Sequence, residues 1–167
     1  IAKNPKIFLG YSDITSLLNA IYAQAGVVTF HGPNVMSRWN EFTYQGMREV
    51  LFDARASTYS NPEVIDDDLV ARKYRIQTIN TGKATGHLIG GNLTLMSALV
   101  GTPYFPDARG AILFLEDVGE AIYRVDRMMT QLKLSGVLDQ VSGIVFGHFT
   151  GVKPNPGLGN FALMDIL

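Results

Sequence analysis

Four short apolar runs constrain this chain more than anything else in it. Residues 7–9, 27–30, 111–115 and 143–146 are rich in β-branched and aromatic side chains and read as buried strands. The last two show little polar alternation, the pattern of strands covered on both faces of a parallel sheet. Helical patterns lie between them at 14–25, 41–52, 93–99 and 122–134. Ile14, Leu17, Leu18 and Ile21 mark the apolar face of the first, and Ile122, Val125, Met128, Met129 and Leu132 that of the last. Strands alternating with helices predict an α/β fold whose strands are largely parallel. Gly136 reads as the glycine that closes the last helix. Residues 54–68, which include Asp66, Asp67 and Asp68, and residues 152–159, with two prolines and two glycines, read as surface loops.

Bulk properties narrow the function classes. Hydrophobic residues make up 47% of the 167, which supplies a core and excludes disorder. Fourteen basic residues against 15 acidic ones give a net charge of -1, which argues against nucleic acid or an anionic membrane as partner. With no cysteine, disulfides, thiolate metal sites and a cysteine nucleophile are all removed. No apolar stretch has the length of a membrane-spanning helix, and a cytoplasmic protein is the expectation. Ile1 opens directly before a strand and residues 161–167 read as the start of a helix, so a piece of a longer protein is expected.

Three stretches carry chemistry. In "FLGYSDIT" a strand ends in Gly10 and a helix begins at once, with Ser12 at the bend. Such a junction lifts a serine oxygen out of the sheet above a helix N-terminus, where the Asp13 N–H would face developing negative charge. Position 14 is isoleucine, so the Gly-x-Ser-x-Gly form is not met, and on the residues alone helix capping by Ser12 or Asp13 stands ahead of catalysis. In "AILFLEDVGE" an apolar strand delivers Glu116 and Asp117 at its C-terminal end, where open α/β sheets place their ligands. Asp117 and Glu120 read as negative charges at the N-terminus of the next helix. In "GHLIGGNLTLM" the pair Gly90-Gly91 permits close backbone approach to a ligand, and Asn92 stands where a helix begins. Neither the dinucleotide nor the Walker glycine spacing is present. His31, His87 and His148 each suit a base, but no pair has metal-ligand spacing.

Taken in order, "FLGYSDIT", "TFHGP", "GHLIGGNLT", "ILFLEDVGEAIYRVDRMMTQL" and "GIVFGHF" resemble the LD-carboxypeptidase family of serine peptidases, which includes muramoyl-tetrapeptide carboxypeptidases and microcin C immunity proteins. The resemblance spans nearly the whole chain except residues 40 to 80. It implies a Ser–Glu–His triad with Ser12 as nucleophile and Glu116 as the carboxylate, an oxyanion donor at Asp13, and substrate contacts at Gly91 and Asn92. By the same resemblance the triad histidine lies beyond Leu167 and a second oxyanion donor before Ile1, so His148 is not the base and the chain alone is expected to be inactive.

The domains implied are the end of a Rossmann-like N-terminal lobe (1–53), a variable linker (54–81) and most of a C-terminal α/β lobe (82–167). The implied activity is release of the terminal D-alanine from peptidoglycan tetrapeptides in cytoplasmic wall recycling. It needs no cofactor or metal, and the family suggests a homodimer. A microcin-type amidase acting on aminoacyl-nucleotide antibiotics and a silent binding module of the same fold are the alternatives.

Overall fold

The computed structural model describes residues 1–62, 74–153 and 161–167. The aspartate run at 66–68 and most of the loop at 152–159 lie outside the described residues. In chain order the elements are β1 (Leu9–Gly10), α1 (Ile14–Ala25), β2 (Phe30–His31), α2 (Glu41–Leu51), β3 (Leu88–Asn92), α3 (Leu93–Leu99), β4 (Ile112–Val118), α4 (Ile122–Leu134), α5 (Val137–Gln140), β5 (Gly143–Thr150) and α6 (Leu163–Ile166). They fall into two compact units. One joins Ile1–Asn34 to Lys83–Leu167, and the other is Val35–Gly82, which holds α2. Within the second unit, α2 is capped by Asn40, whose side chain accepts from Thr43 N–H at 2.8 Å. Among the described residues no helix is long and apolar enough to cross a membrane.

All strand pairing in the first unit is parallel, as the α/β pattern predicts. β1 pairs with β2, and a second sheet runs β3-β4-β5 with β4 in the middle. The predicted helices 14–25, 93–99 and 122–134 form with those boundaries, and 41–52 ends one residue early at Leu51. Gly136 closes α4 at φ 79, its N–H donating to the Lys133 carbonyl at 3.0 Å.

The strands depart from the expectation in instructive ways. The runs at 7–9 and 27–30 pair only over Leu9↔Phe30 and Gly10↔His31, at their C-terminal ends. β4 and β5 outrun their apolar cores, because Asp117↔Phe149 and Val118↔Thr150 continue the ladder, each pair joining a polar residue to an apolar one. β3 falls outside the four apolar runs that read as strands. Two consecutive glycines disguise it, since glycine is depleted in strands. Here they are obligatory: Gly90 has φ 128, and a Cβ on it would lie 1.9 Å from the Phe114 carbonyl oxygen of β4. The expected cover on both faces is also only partly present. β4 alternates buried and half-buried residues, whereas β5 is an edge strand with Ile144 and Val145 exposed.

The core lies on one face of the β3-β4-β5 sheet, under α3 and α4. Leu93, Met96, Leu113, Leu115, Val125 and Leu132 are fully buried there. Met129 belongs to this cluster and Met128 packs against it, so both methionines are core residues as their spacing suggested. A fully buried leucine contributes about 1.5–3 kcal/mol by transfer alone. In the full-length protein Leu113→Ala should lower unfolding free energy by about 2–5 kcal/mol. A denaturant titration with unchanged slope and a lower midpoint is the expected result.

Candidate active site

α1 carries the first candidate residue and is itself rotated from the expected face. Ile14 and Leu17 are 43% and 52% exposed, while Thr15 and Asn19 are buried beside Leu18 and Ile21. Two polar side chains displace two apolar ones because each has a partner across the gap to β3. Asn92 N–H donates to Thr15 Oγ1 at 3.1 Å. Asn19 Nδ2 donates to the Gly90 carbonyl at 2.9 Å and to the Thr15 carbonyl at 2.8 Å. A polar pair spaced i, i+4 within a helix was the sequence signal that would have found them.

These bonds hold the elbow in place at the end of β1. Ser12 adopts φ 60, a left-handed conformation that costs an L-residue about 1–2 kcal/mol. Strain of this kind gathers at functional sites. Thr15 N–H donates to the Ser12 carbonyl at 2.9 Å. Asp13 makes no side-chain cap bond, so capping by Asp13, one of the alternatives open in the sequence, is not taken up. The leading N–H groups of a helix have no partner inside it, and that of Asp13 directly follows the serine. If the strain is local, Ser12→Gly should be more stable than Ser12→Ala by about 1 kcal/mol, because only glycine relaxes at this φ. Paired thermal melts read this difference.

Glu116 lies within β4 rather than at its end. It is opposite Asn92 of β3, at the point where the register with β5 shifts between Leu115 and Asp117. Its stem passes Gly147 of β5, where an added Cβ would come within 3.2 Å of Glu116 Cβ and 3.0 Å of the Phe114 ring. Its carboxylate faces His31, with Nε2 3.8 Å from Oε1 and the two side chains 24% and 23% exposed. Burial pushes the Glu116 carboxyl above its ordinary value, the Asp117 charge adds to that, and the Asn92 side chain pulls the other way. Burial lowers the His31 imidazole. Both groups are thus driven toward their neutral forms.

Asp117 corrects the expectation most sharply. It is not an exposed charge ahead of α4 but a strand residue only 3% exposed. Its carboxylate accepts from Asn92 Nδ2 at 2.9 Å, Thr94 N–H at 3.0 Å, Thr94 Oγ1 at 2.8 Å and Val118 N–H at 2.8 Å. The helix it complements is α3, reached across the sheet. Glu120 precedes α4 as read and pairs with Arg124 at 3.6 Å.

Asn92 caps α3 as the sequence allowed, Oδ1 accepting from Leu95 N–H at 3.2 Å while Nδ2 serves Asp117. The close approach at Gly91 is to the protein itself: a Cβ there would stand 2.7 Å from Thr15 Oγ1 and 3.0 Å from His31 Nδ1. His87 bonds the Asp107 carbonyl at 3.0 Å, and His148 lies in β5. Among the described residues no three His, Asp or Glu side chains gather as a metal site would need.

Two variants test this electrostatic description. Hydrogen bonds to a charged group are worth about 1.5–3 kcal/mol each, and asparagine offers one acceptor oxygen where Asp117 offers two. Asp117→Asn should therefore cost about 2–4 kcal/mol in unfolding free energy. Glu116 behaves oppositely. With its folded pKa raised, its contribution is full below the ordinary carboxylate range and is lost as pH rises through the folded value. Glu116→Gln should match the parent in acid and exceed its stability at neutral pH, as unfolding curves across pH would show.

Comparison with known proteins places this geometry. Residues 1–32 match the model of the LD-carboxypeptidase N-terminal domain, and residues 85–166 that of the LD-carboxypeptidase C-terminal domain. A probable murein peptide carboxypeptidase of Bacillus subtilis is 40% identical over 167 residues, which covers 100% of this chain and 50% of that protein. The microcin C7 self-immunity protein MccF of Escherichia coli is 34% identical over 168 residues, covering 88% of this chain and 49% of that protein. The chain thus spans about half the length of the curated relatives it matches. Among solved structures, MccF in complex with glutamyl sulfamoyl guanosine superposes with a TM-score of 0.75 at 29% identity, covering 99% of this chain and 55% of that one. A muramoyltetrapeptide carboxypeptidase from Oxalobacter formigenes gives 0.71 at 32% identity, covering 98% and 54%.

Proposed function

The chain belongs to the LD-carboxypeptidase family, and from that premise we propose that it is part of a serine carboxypeptidase that releases the terminal D-alanine of peptidoglycan tetrapeptides. The observation that carries the reading is the strained Ser12 at the head of α1, tied through Thr15 and Asn92 to the strand pair that presents Glu116. Ser12 Oγ attacks the carbonyl of the L,D-amide bond, and its proton passes to a histidine supplied beyond Leu167. Glu116 holds that imidazole in the tautomer that accepts the proton. The oxyanion of the tetrahedral intermediate lies against the Asp13 N–H and a further donor outside this chain. Collapse of the intermediate expels D-alanine, and water then hydrolyses the acyl-serine. Substrate contact at Gly91 and Asn92 belongs to the same proposal, with the Asn92 N–H and carboxamide already bonded within the protein. The enzyme works in the cytoplasm, as a homodimer.

A second reading is favoured by the likeness to MccF. There the same serine and carboxylate would cleave the amide of an aminoacyl-nucleotide antibiotic. The full-length protein, incubated separately with a muropeptide tetrapeptide and an aminoacyl sulfamoyl nucleotide, distinguishes the two. Free D-alanine from the first is the expected outcome. Full-length Ser12→Ala should fold normally and lose nearly all turnover, because removing the nucleophile removes the covalent route. Turnover at the parental rate would mean that another group does the chemistry.

A further inference from the structure

His31 is joined to the elbow by the main chain and to Glu116 by its side chain. In β2 it pairs with Gly10, two residues before Ser12, and the following Gly32 N–H donates to the Gly10 carbonyl at 3.0 Å. Its ring meets Phe114 of β4 edge-on, with centroids 5.5 Å apart at 62°. Its Nδ1 side fills the space left by the missing side chain of Gly91, and its Nε2 lies 3.8 Å from Glu116 Oε1. β1, β2, β3 and β4 therefore converge on one imidazole.

The Asn92 side chain bonds the Glu116 carboxyl from β3, and His31 approaches it from β2. Glu116 stands at the β4–β5 register shift, so the ladder to β5 does not set its direction. A triad carboxylate must present one oxygen to the base, which leaves the other to be held by the protein.

The geometry points to His31 as the positioning residue for Glu116: a ring nitrogen carried on the strand beside the elbow holds one carboxylate oxygen while the other orients the catalytic base. This rests on the serine-peptidase reading for its catalytic consequence, but not for the contact itself. At 3.8 Å Nε2 stands beyond hydrogen-bond reach of Oε1, and in the proposed arrangement the two close to a hydrogen bond in the assembled site. The charged groups on the elements around the imidazole are Glu116 and Asp117 of β4, with Asp117 turned onto α3, and the exposed Asp13 ahead of α1. β1 and β3 contribute the neutral Gly10 and Gly91. Burial keeps His31 neutral at neutral pH. As pH falls, protons taken up by Glu116 and His31 alter the contact between them, so the acid limb of activity reports on the pair.

Two measurements on the full-length protein test this. The first is independent of activity: the His31 imidazole is titrated by NMR in the parent and in Glu116→Gln. Loss of a carboxylate within about 4–6 Å should lower the His31 pKa by about one unit or more. An unchanged titration overturns the contact. The second is kinetic. His31→Ala should lower kcat about 10-fold or more, toward the roughly 100-fold that a misplacement of about 1 Å produces, with KM nearly unchanged. The acid limb of its pH–kcat profile should also move. His31→Gln, which keeps a neutral donor on a side chain of similar reach, should recover part of the loss. A His31→Ala enzyme that melts earlier but keeps the parental kcat and pH profile would make the residue merely structural. If the parent turns over no muropeptide or nucleotide substrate, the serine-peptidase reading fails, and the NMR titration still decides the contact.

Discussion

Asn92 is the residue through which both halves of the site are held. Its N–H donates to Thr15 Oγ1 at the head of α1, its carboxamide nitrogen to Asp117 on β4, and its oxygen caps α3. One residue thus couples the elbow helix, the Glu116 strand and the helix that packs the core. The bonds are buried, where an unpaired polar group costs about 1–3 kcal/mol. Each partner is therefore committed to the others. Any change that frees Thr15 from Asn92 loosens Ser12 as well, because Thr15 N–H also fastens the serine's carbonyl.

The close approach that makes this possible depends on glycine. Gly90 lies against the main chain of Phe114, and Gly91 lies against Thr15 and His31. Only residues without a Cβ let β3 come near enough to α1 for those bonds to form. The same pair opens the space that the His31 ring occupies. A sequence feature that reads as a ligand-binding loop is, in the fold, a joint between protein elements.

The site also stores unfavourable energy on the two residues proposed for chemistry. Ser12 is held at a backbone angle disfavoured for its type, and Glu116 is held where burial and Asp117 oppose its ionisation. Neighbouring residues are placed without strain: Asp117 gathers four donors, and Asn19 and Thr15 find partners. Such a contrast between strained and satisfied groups is what local consistency predicts for functional positions.

Much of this was legible in the order of residues. Helices α1, α3 and α4 follow from apolar spacing, parallel strands from the alternation of elements, and the bend at Ser12 from a glycine and a serine set between a strand and a helix. Family membership was legible too, because several short motifs recur in a fixed order. These are local or ordered properties, and a linear chain carries them directly. Tertiary structure decided the rest. It turned α1 so that Thr15 and Asn19 face inward, made a strand of "LIGGN", and buried Asp117 against a helix 23 residues earlier in the chain. It also brought His31 to Glu116 across 85 positions of sequence (116 − 31). The reason is common to all four. A polar side chain goes where its partner is, and the partner's position is set by pairing between strands that local propensity does not encode.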